Sequence, residues 1–298
     1  MIDMQKENCI IMKSTAGFYY VRSEDGEITE CRARGVFRKQ KITPLVGDRV
    51  TIEINGGNGT VTEIYERRNS LIRPPVANLD KLIIVSSVVE PAPNLLIIDK
   101  LTAMAVDKGI EPVVVFSKDD LENADSYVEI YRKSGIESFS VSSETGHGIE
   151  RFRSIFKNSV CALTGNTGVG KSSVLNAIEP GLELATSHIS NKLGRGRHTT
   201  RTVELYELCD GYIADTPGFS SLDFENVEII LKENLQFCFP EFEKYIGTCK
   251  FVSCAHLCEK GCRVCEAVET GEIPVSRHES YRMMYDEVKD YKEWENKQ

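Results

Sequence analysis

A glycine-rich loop carries the clearest chemistry in the sequence. Residues 160–175 read VCALTGNTGVGKSSVL, an apolar run followed by G-x-x-x-x-G-K-S and then a helix-like run. Glycines let backbone N–H groups curl around phosphate oxygens, the lysine reaches the β- and γ-phosphates, and the serine hydroxyl ligates Mg²⁺. The sequence therefore predicts nucleotide contacts from Gly165, Asn166, Thr167, Gly168, Val169, Gly170, Lys171, Ser172 and Ser173.

A second motif, DTPG at residues 215–218, suits the same chemistry. In a phosphate-loop enzyme, a strand ending in D-x-x-G places its aspartate where it holds Mg²⁺, usually through water, and its glycine N–H at the γ-phosphate. The tetrapeptide alone is more often an ordinary turn. Downstream of a complete phosphate loop it favours a role for Asp215, with Ser172, in holding Mg²⁺, and a role for Gly218 at the γ-phosphate.

The group that would orient the attacking water is not in its usual place. Ras-like enzymes use a glutamine just after D-x-x-G, whereas this chain has Phe219, whose phenyl ring cannot orient water. His198 is the nearest internal candidate, because Thr199 or Thr200 would lie in the segment that approaches the γ-phosphate. The competing interpretation is an exposed or RNA-facing histidine. We expect slow intrinsic hydrolysis that a partner accelerates.

Two polar segments follow predicted strands upstream of the phosphate loop. The first, Ser117-Lys118-Asp119-Asp120, supplies a lysine stem that can cover a base ring and a carboxylate, Asp120, that can accept both the N1–H and the exocyclic amine of guanine. The second begins Ser142-Ser143 and can contribute a backbone amide to the base oxygen. The first segment is also compatible with a helix start that Asp119 or Asp120 merely caps. The matched pair of segments favours a guanine site.

A cluster of cysteines near the C-terminus has the density of a metal site. Five of the ten cysteines lie within residues 249–265, and a histidine lies among them. A structural Zn²⁺ site needs four donors, and spacing alone does not choose among the six present. The candidates are Cys249, Cys254, His256, Cys258, Cys262 and Cys265.

The composition limits the class of protein that carries these motifs. A chain of 298 residues with 41% hydrophobic residues suits two or three domains with ordinary cores. No apolar run approaches the roughly 18 residues of a membrane span, so we expect a soluble, cytoplasmic protein without membrane contact. The net charge of −9 argues against general binding of polyanions, but two basic stretches, residues 31–41 and 191–201, favour a nucleic-acid partner contacted at chosen places. The alternative for each stretch is a solvated loop.

The elements that position these residues change character along the chain. From Gly17 to about Ile72, five short β-like runs alternate with turns such as Asp25-Gly26, which predicts a small OB-like barrel. Between residues 81 and 157, apolar strands alternate with amphipathic helices, and the phosphate-loop strand follows directly. This alternation predicts a parallel sheet covered by helices. After the cysteine cluster we expect a charged helix that is a solvated surface helix rather than a dedicated binding element.

The order of the motifs resembles one particular family. The base-reading segments precede the phosphate loop, as in a circularly permuted GTPase, and a barrel and a cysteine cluster flank them. With GNTGVGKSS, RGRHTT, DTPGF and CKFVSCAHLCEKGC, the chain resembles the RsgA/YjeQ family over nearly its whole length. The resemblance implies a multidomain fold with an OB-like RNA-binding barrel (1–72), a circularly permuted α/β P-loop GTPase domain (73–226) and a mostly helical zinc-binding domain (227–298).

The same resemblance implies a function and a ligand set. It implies that GTP is hydrolysed to GDP, with Mg²⁺, during late maturation of the small ribosomal subunit, by a monomer that contacts 16S-type rRNA. It also implies that structural Zn²⁺ is held by C-x4-C-x-H-x5-C, that is by Cys249, Cys254, His256 and Cys262, which leaves Cys258 and Cys265 as spare thiols.

One position departs from the family pattern. Such families usually carry asparagine where this chain has Ser117. We expect the missing amide to weaken guanine binding or to loosen the contact between this segment and the phosphate loop. The departure keeps open a P-loop ATPase or kinase, and a non-enzymatic rRNA-binding assembly scaffold is the other alternative.

Overall fold

The structure is a computed structural model that describes residues 4–71, 75–179, 203–215, 229–257 and 259–291. The chain divides into two compact units: Met1–Lys81, Glu150–Leu163 and Leu175–Leu222 form the first, and Leu82–Ile149, Thr164–Val174 and Asp223–Gln298 form the second. Among the described residues, no helix combines the length and the apolar character needed to cross a membrane.

The first unit contains a closed five-stranded barrel. Its strands are β1 (Met4–Thr15), β2 (Phe18–Arg22), β3 (Ile28–Ala33), β4 (Arg49–Asn55) and β5 (Asn58–Ile64), in the order β1-β2-β3-β5-β4. Pairing of β1 with β4 closes the barrel, so that no edge strand is left open. Alternate apolar side chains fill the interior and are fully buried, among them Ile11, Val21, Val50, Ile52 and Val61.

The barrel differs from the sequence-based prediction at two places. Its first and longest strand, β1, lies before Gly17, where no strand was expected. The basic stretch at residues 31–41, for which a solvated loop was the alternative interpretation, contains the end of β3 and a short helix, α1 (Gly35–Lys39), which buries Phe37.

The first unit also contains two-residue strands β6 (Ser70–Leu71) and β7 (Val76–Ala77), and helix α4 (Ile149–Ile155) lies mainly within it. Strand β11 (Val160–Thr164) pairs in parallel with β13 (Gly211–Asp215), and β12 (Glu204–Leu208) pairs antiparallel with β13. Strand β12 also pairs with β1. The β12–β13 hairpin was not predicted and makes this part of the sheet mixed rather than purely parallel.

The second unit shows the predicted alternation of strands and helices. Strands β8 (Lys81–Ser87), β9 (Glu111–Ser117) and β10 (Glu137–Val141) lie in the order β10-β9-β8, separated along the chain by α2 (Leu95–Asp107) and α3 (Asp125–Lys133). The β9–β10 pairing is parallel. Strands β8 and β9 are near-continuous apolar runs that are almost wholly buried, as a sheet covered on both faces requires. Helix α5 (Lys171–Ile178) follows the phosphate loop.

The C-terminal part of the second unit is mostly helical. It contains α6 (Lys232–Leu235), two 3₁₀ turns (Gln236–Cys238 and Pro240–Phe242), α7 (Arg263–Glu269) and α8 (Val275–Val288). Their shared core includes Phe239, Phe242 and Tyr281, whose rings pack against one another. The expected charged helix is α8, but it is not a purely solvated surface helix, since several of its side chains are buried.

Candidate functional site

Glycines shape the phosphate loop by leaving room for neighbouring backbone. Gly165 has φ +145°, and a Cβ atom at this residue would lie 2.1 Å from the carbonyl oxygen of Val85 in β8. Gly168 and Gly170 have φ +84° and +88°, a region that residues with side chains rarely adopt. The loop therefore forms a tight backbone turn whose curvature and close approach to β8 depend on glycine.

The lysine of the loop is folded over the loop itself. Lys171 Nζ donates hydrogen bonds to the carbonyl oxygens of Gly165, at 2.5 Å, and Asn166, at 2.7 Å. Burial lowers the pKa of this ammonium group, because removal from water disfavours the charged form. Ser172 and Ser173 are exposed in the first turn of α5. A flexible cation and exposed hydroxyls thus lie where a phosphate cradle requires them.

Ser117 joins the first base-side segment to the phosphate loop. Its hydroxyl donates to the carbonyl oxygen of Val169 at 2.5 Å and lies 3.3 Å from the carbonyl oxygen of Ser86. The contact that the absence of asparagine was expected to loosen is present, made by a shorter side chain. The side chain at position 117 also lies close to Gly170, where a Cβ would be 3.6 Å from the serine hydroxyl.

The two base-side segments meet through a hydrogen bond between side chains. Ser142 Oγ donates to Asp120 Oδ1 at 2.5 Å and accepts from the backbone N–H groups of Glu144 and Thr145 at 3.2 and 3.1 Å. Ser142 is buried, whereas Asp120 is exposed. Ser143, next in the chain, is partly buried. The Ser142 hydroxyl thus holds one oxygen of the exposed Asp120 carboxylate in place.

The other two residues of the first segment have local partners. Asp119 Oδ1 accepts the backbone N–H of Ala124 at 3.0 Å, and Asp119 Oδ2 lies 3.5 Å from His147 Nε2. Lys118 has φ +64°, and its Nζ donates to the carbonyl oxygen of Glu90 at 2.7 Å. Asp119 is therefore engaged with the residue that precedes α3, whereas Asp120 remains available for another partner.

Several residues predicted to act on the γ-phosphate lie outside the described residues. They are His198, Thr199, Thr200 and Gly218. Asp215 is the last residue of β13, and its side chain is likewise outside the description.

Four donors in the C-terminal region converge as a metal site requires. The sulfur atoms of Cys249, Cys254 and Cys262 and a ring nitrogen of His256 lie within 4.8 Å of one another. His256 Nδ1 is 3.6 Å from Cys249 Sγ and 3.5 Å from Cys262 Sγ. Zinc bond lengths of 2.0–2.3 Å imply donor separations of about 3.5–3.8 Å in a tetrahedron. The donor set and its spacing fit Zn²⁺.

Surrounding groups orient these donors, and the sequence pattern did not reveal them. His256 Nε2 is 3.0 Å from Gln236 Oε1, and donation by Nε2–H leaves the Nδ1 lone pair free for a metal. The backbone N–H of Arg263 donates to Cys249 Sγ at 3.3 Å. Gln236 lies 20 residues from His256 in sequence, with no motif to connect them.

Burial shifts the pKa of three of the four donors, Cys254, His256 and Cys262. It raises the pKa of the Cys254 and Cys262 thiols to about 12 and lowers the pKa of His256, because charged forms are disfavoured away from water. A divalent cation offsets this cost by replacing the thiol protons. Cys265 is not among the four converging donors, and Cys258 lies outside the described residues.

The fold and the loop define a phosphate-loop nucleotide-binding protein with a Cys₃His cluster. A family model described as RsgA GTPase matches residues 64–225, and one described as RsgA N-terminal domain matches residues 8–61. The chain belongs to the RsgA GTPase family and is a GTP-hydrolysing enzyme. Membership of this family does not favour the alternative interpretations of the chain as a P-loop ATPase, a kinase or a non-enzymatic rRNA-binding scaffold.

Relatives and solved structures agree with this assignment over nearly the whole chain. The chain is 45% identical to the small ribosomal subunit biogenesis GTPase RsgA of Bacillus cereus over 289 residues, which cover 95% of this chain and 97% of the relative. The protein of that name from Geobacillus thermodenitrificans is also 45% identical, with the same coverage.

Two crystal structures are similar to this chain. One is that of YloQ, a circularly permuted GTPase, at 36% identity and a TM-score of 0.78, covering 97% of this chain and 96% of YloQ. The other is YjeQ from Thermotoga maritima, at 35% identity and a TM-score of 0.81, covering 97% and 100%. The predicted fold class is confirmed: an N-terminal OB-like barrel, a circularly permuted GTPase core and a mostly helical C-terminal domain with a cluster suited to zinc.

Proposed function

We propose that this chain hydrolyses GTP during biogenesis of the small ribosomal subunit, the role that its relatives' names give to those proteins. The observation that carries the nucleotide part is the hydrogen bond from Ser117 to Val169. It ties a base-side segment to the phosphate loop, so that one nucleotide can contact both. The proposed division is a barrel at 1–72, a GTPase domain at 73–226 and a zinc-binding domain at 227–298.

Guanine selection is assigned to Asp120. One of its carboxylate oxygens already accepts the Ser142 hydroxyl, which fixes the group while it accepts the N1–H and the exocyclic amine of the base. The Lys118 stem covers the ring, and a backbone amide of the segment at Ser142 and Ser143 donates to the base oxygen. A site that hydrogen-bonds the base in this way rejects analogues that leave its polar groups unpaired.

Phosphate contacts are assigned to residues 165–173. Lys171 would exchange its two carbonyl partners for phosphate oxygens, which carry more negative charge and make stronger hydrogen bonds. Ser172 and Asp215 would hold Mg²⁺, which neutralises charge on the β- and γ-phosphates when bound. Backbone N–H groups of the loop would complete the cradle.

The hydrolytic step is assigned to the segment that contains His198, Thr199 and Thr200, with Gly218 at the γ-phosphate. This part rests on the sequence motifs. His198 would orient the attacking water, since Phe219 occupies the position of the usual glutamine. His198→Ala is expected to abolish stimulation by the ribosomal subunit, and an intact stimulated rate would exclude the catalytic role.

The C-terminal cluster is assigned to structural Zn²⁺ held by Cys249, Cys254, His256 and Cys262. Four sulfur and nitrogen donors close a tetrahedral shell, so that the metal would stabilise the fold rather than react. With the barrel, this module would contact 16S-type rRNA. The protein would act as a monomer in the cytoplasm and bind GTP and GDP in turn.

The test is the turnover of GTP with and without purified small ribosomal subunits, with ATP as the control substrate. Strong stimulation that is confined to GTP supports both the partner and the nucleotide. An unstimulated rate would contradict the ribosomal role, and equal use of ATP would contradict the assignment of Asp120.

A further inference from the structure

A fifth thiol lies beside the Cys/His cluster. Cys265 Sγ is 3.9 Å from the carbonyl oxygen of His256 and 3.9 Å from His278 Nε2. Its side chain is partly exposed, whereas that of Cys262, three residues earlier, is buried. The partly exposed thiol of Cys265, which is not one of the four converging donors, therefore lies near the thiol of Cys262, which is one of them.

The two thiols occupy a helix start. Cys262 is the N-cap of α7 (Arg263–Glu269), and its sulfur accepts the backbone N–H of Cys265 at 3.5 Å. The two thiols are also side-chain hydrogen-bond partners. The Cys-x-x-Cys spacing is that of the redox pair in thiol–disulfide oxidoreductases, and residues three apart in a helical turn can satisfy the Cα separation of 4.4–6.8 Å that a disulfide needs.

We propose that Cys262 and Cys265 form a redox-active dithiol whose oxidation by hydrogen peroxide withdraws Cys262 from the metal-ligand set. The inference rests on the proposed zinc site. Oxidation would leave three donors, Cys249, Cys254 and His256, where a structural zinc site needs four. Peroxide would therefore release the metal, and a thiol reductant would restore the site.

The oxidation proceeds in two steps. The Cys265 sulfur, as thiolate, attacks one peroxide oxygen, the O–O bond breaks, and a sulfenic acid and water are formed once the leaving hydroxide takes up a proton. The Cys262 sulfur then attacks the Cys265 sulfur, so that the S–S bond forms and the S–O bond breaks. The second hydroxide leaves as water. In total, the Cys265 thiol, the metal-bound Cys262 thiolate, one peroxide and one proton from solvent give one disulfide and two waters, and the metal loses the Cys262 ligand.

The experiment follows zinc and the disulfide separately in the full-length chain. Zinc content is measured first, peroxide is added, and released zinc is followed with a chromogenic chelator. Trypsin cleaves after Lys260 and Arg263, so the disulfide joins the peptide 261–263 to the peptide 264–277 in a product that separates on reduction. Cys265→Ser keeps all four proposed ligands, and we expect it to release zinc at least ~10-fold more slowly and to give no joined peptide.

A matched control variant tests whether the effect on zinc release is specific to Cys265. Cys209→Ser removes a partly exposed thiol in the first unit and is expected to behave like the unmodified chain. Zinc release from Cys265→Ser at the unmodified rate would overturn the proposal, as would mapping of the disulfide to another pair. A purified chain without zinc would contradict the proposed zinc site, whereas the joined peptide would still report on the dithiol.

Discussion

The Ser117 hydroxyl donates a hydrogen bond of 2.5 Å to the backbone carbonyl of Val169. This bond spans 52 residues of sequence and is buried. It links the end of β9 to the phosphate loop in a position where the family pattern has asparagine. A serine side chain thus connects the end of β9 to the phosphate loop.

Removal of that hydroxyl is expected to weaken GTP binding. Ser117→Ala leaves the Val169 carbonyl without its short hydrogen bond, at a cost of about 1–2 kcal/mol, or roughly 5- to 30-fold in affinity. Titration with a fluorescent GTP analogue measures the change. Ser117→Thr keeps the hydroxyl and is the matched control. Equal affinity of Ser117→Ala and the unmodified chain would show that the contact does not support the site.

Gly165 lies so close to β8 that an added side chain is expected to clash with that strand. Comparison with Gly168, which also has a positive φ, separates this clash from backbone strain. In Gly165→Ala, the new Cβ would lie 2.1 Å from the Val85 carbonyl oxygen, so the loop must move. In Gly168→Ala, the nearest atom would be 3.7 Å away, although φ is also positive. We expect Gly165→Ala to abolish measurable GTP binding and Gly168→Ala to reduce it less. The reverse order would contradict the loop geometry.

Gln236 is predicted to support metal binding without contributing a ligand. Its Oε1 is 3.0 Å from His256 Nε2, and loss of such an outer partner weakens metal affinity about 10- to 100-fold. Gln236→Ala should show this loss in a competition assay with a zinc chelator. Gln236→Glu keeps an acceptor and should retain affinity. Unchanged affinity in Gln236→Ala would remove the orienting role.

Arg277 is predicted to be essential for the stability of the second unit. The side chain is fully buried in α8, and it donates to Asp99 of α2 at 2.7 Å and to Glu241 at 2.7 Å. Arg277→Met leaves two buried carboxylates without their cation, which costs about 3–5 kcal/mol. Thermal unfolding of the chain should show a clear drop in Tm.

The control for this prediction neutralises the whole cluster. Combining Arg277→Met with Asp99→Asn and Glu241→Gln removes the uncompensated charge, so Tm should recover in large part. A triple variant no more stable than Arg277→Met would show that lost packing against Phe239, whose ring lies 4.6 Å from the guanidinium carbon, accounts for the effect.

Features with local causes were predictable from sequence. The phosphate loop and the alternation of strands and helices follow from glycine positions and apolar periodicity. Strand β1 escaped prediction because its first half is mostly exposed and polar and because its register with β4 shifts between Lys6 and Cys9, which breaks the alternation. Asn8, between them, has φ +51°.

Features that depend on tertiary distance were not predictable. The reach of the Ser117 hydroxyl depends on how closely β9 approaches the phosphate loop. Gln236 contacts His256 through folding of the 3₁₀ turns rather than through any sequence spacing. The burial of Arg277 contradicts the usual exposure of arginine and becomes intelligible only when both carboxylates are in place.

Recognition of guanine by Asp120 can be tested by a single exchange of substrate. Asp120→Asn replaces one acceptor by a donor, which opposes the guanine amine but suits the 2-carbonyl of xanthine. Turnover and binding are measured with GTP and with xanthosine triphosphate. We predict that Asp120→Asn loses GTP and gains the xanthosine nucleotide, each by at least ~100-fold. An Asp120→Asn variant that still prefers GTP would contradict the claim.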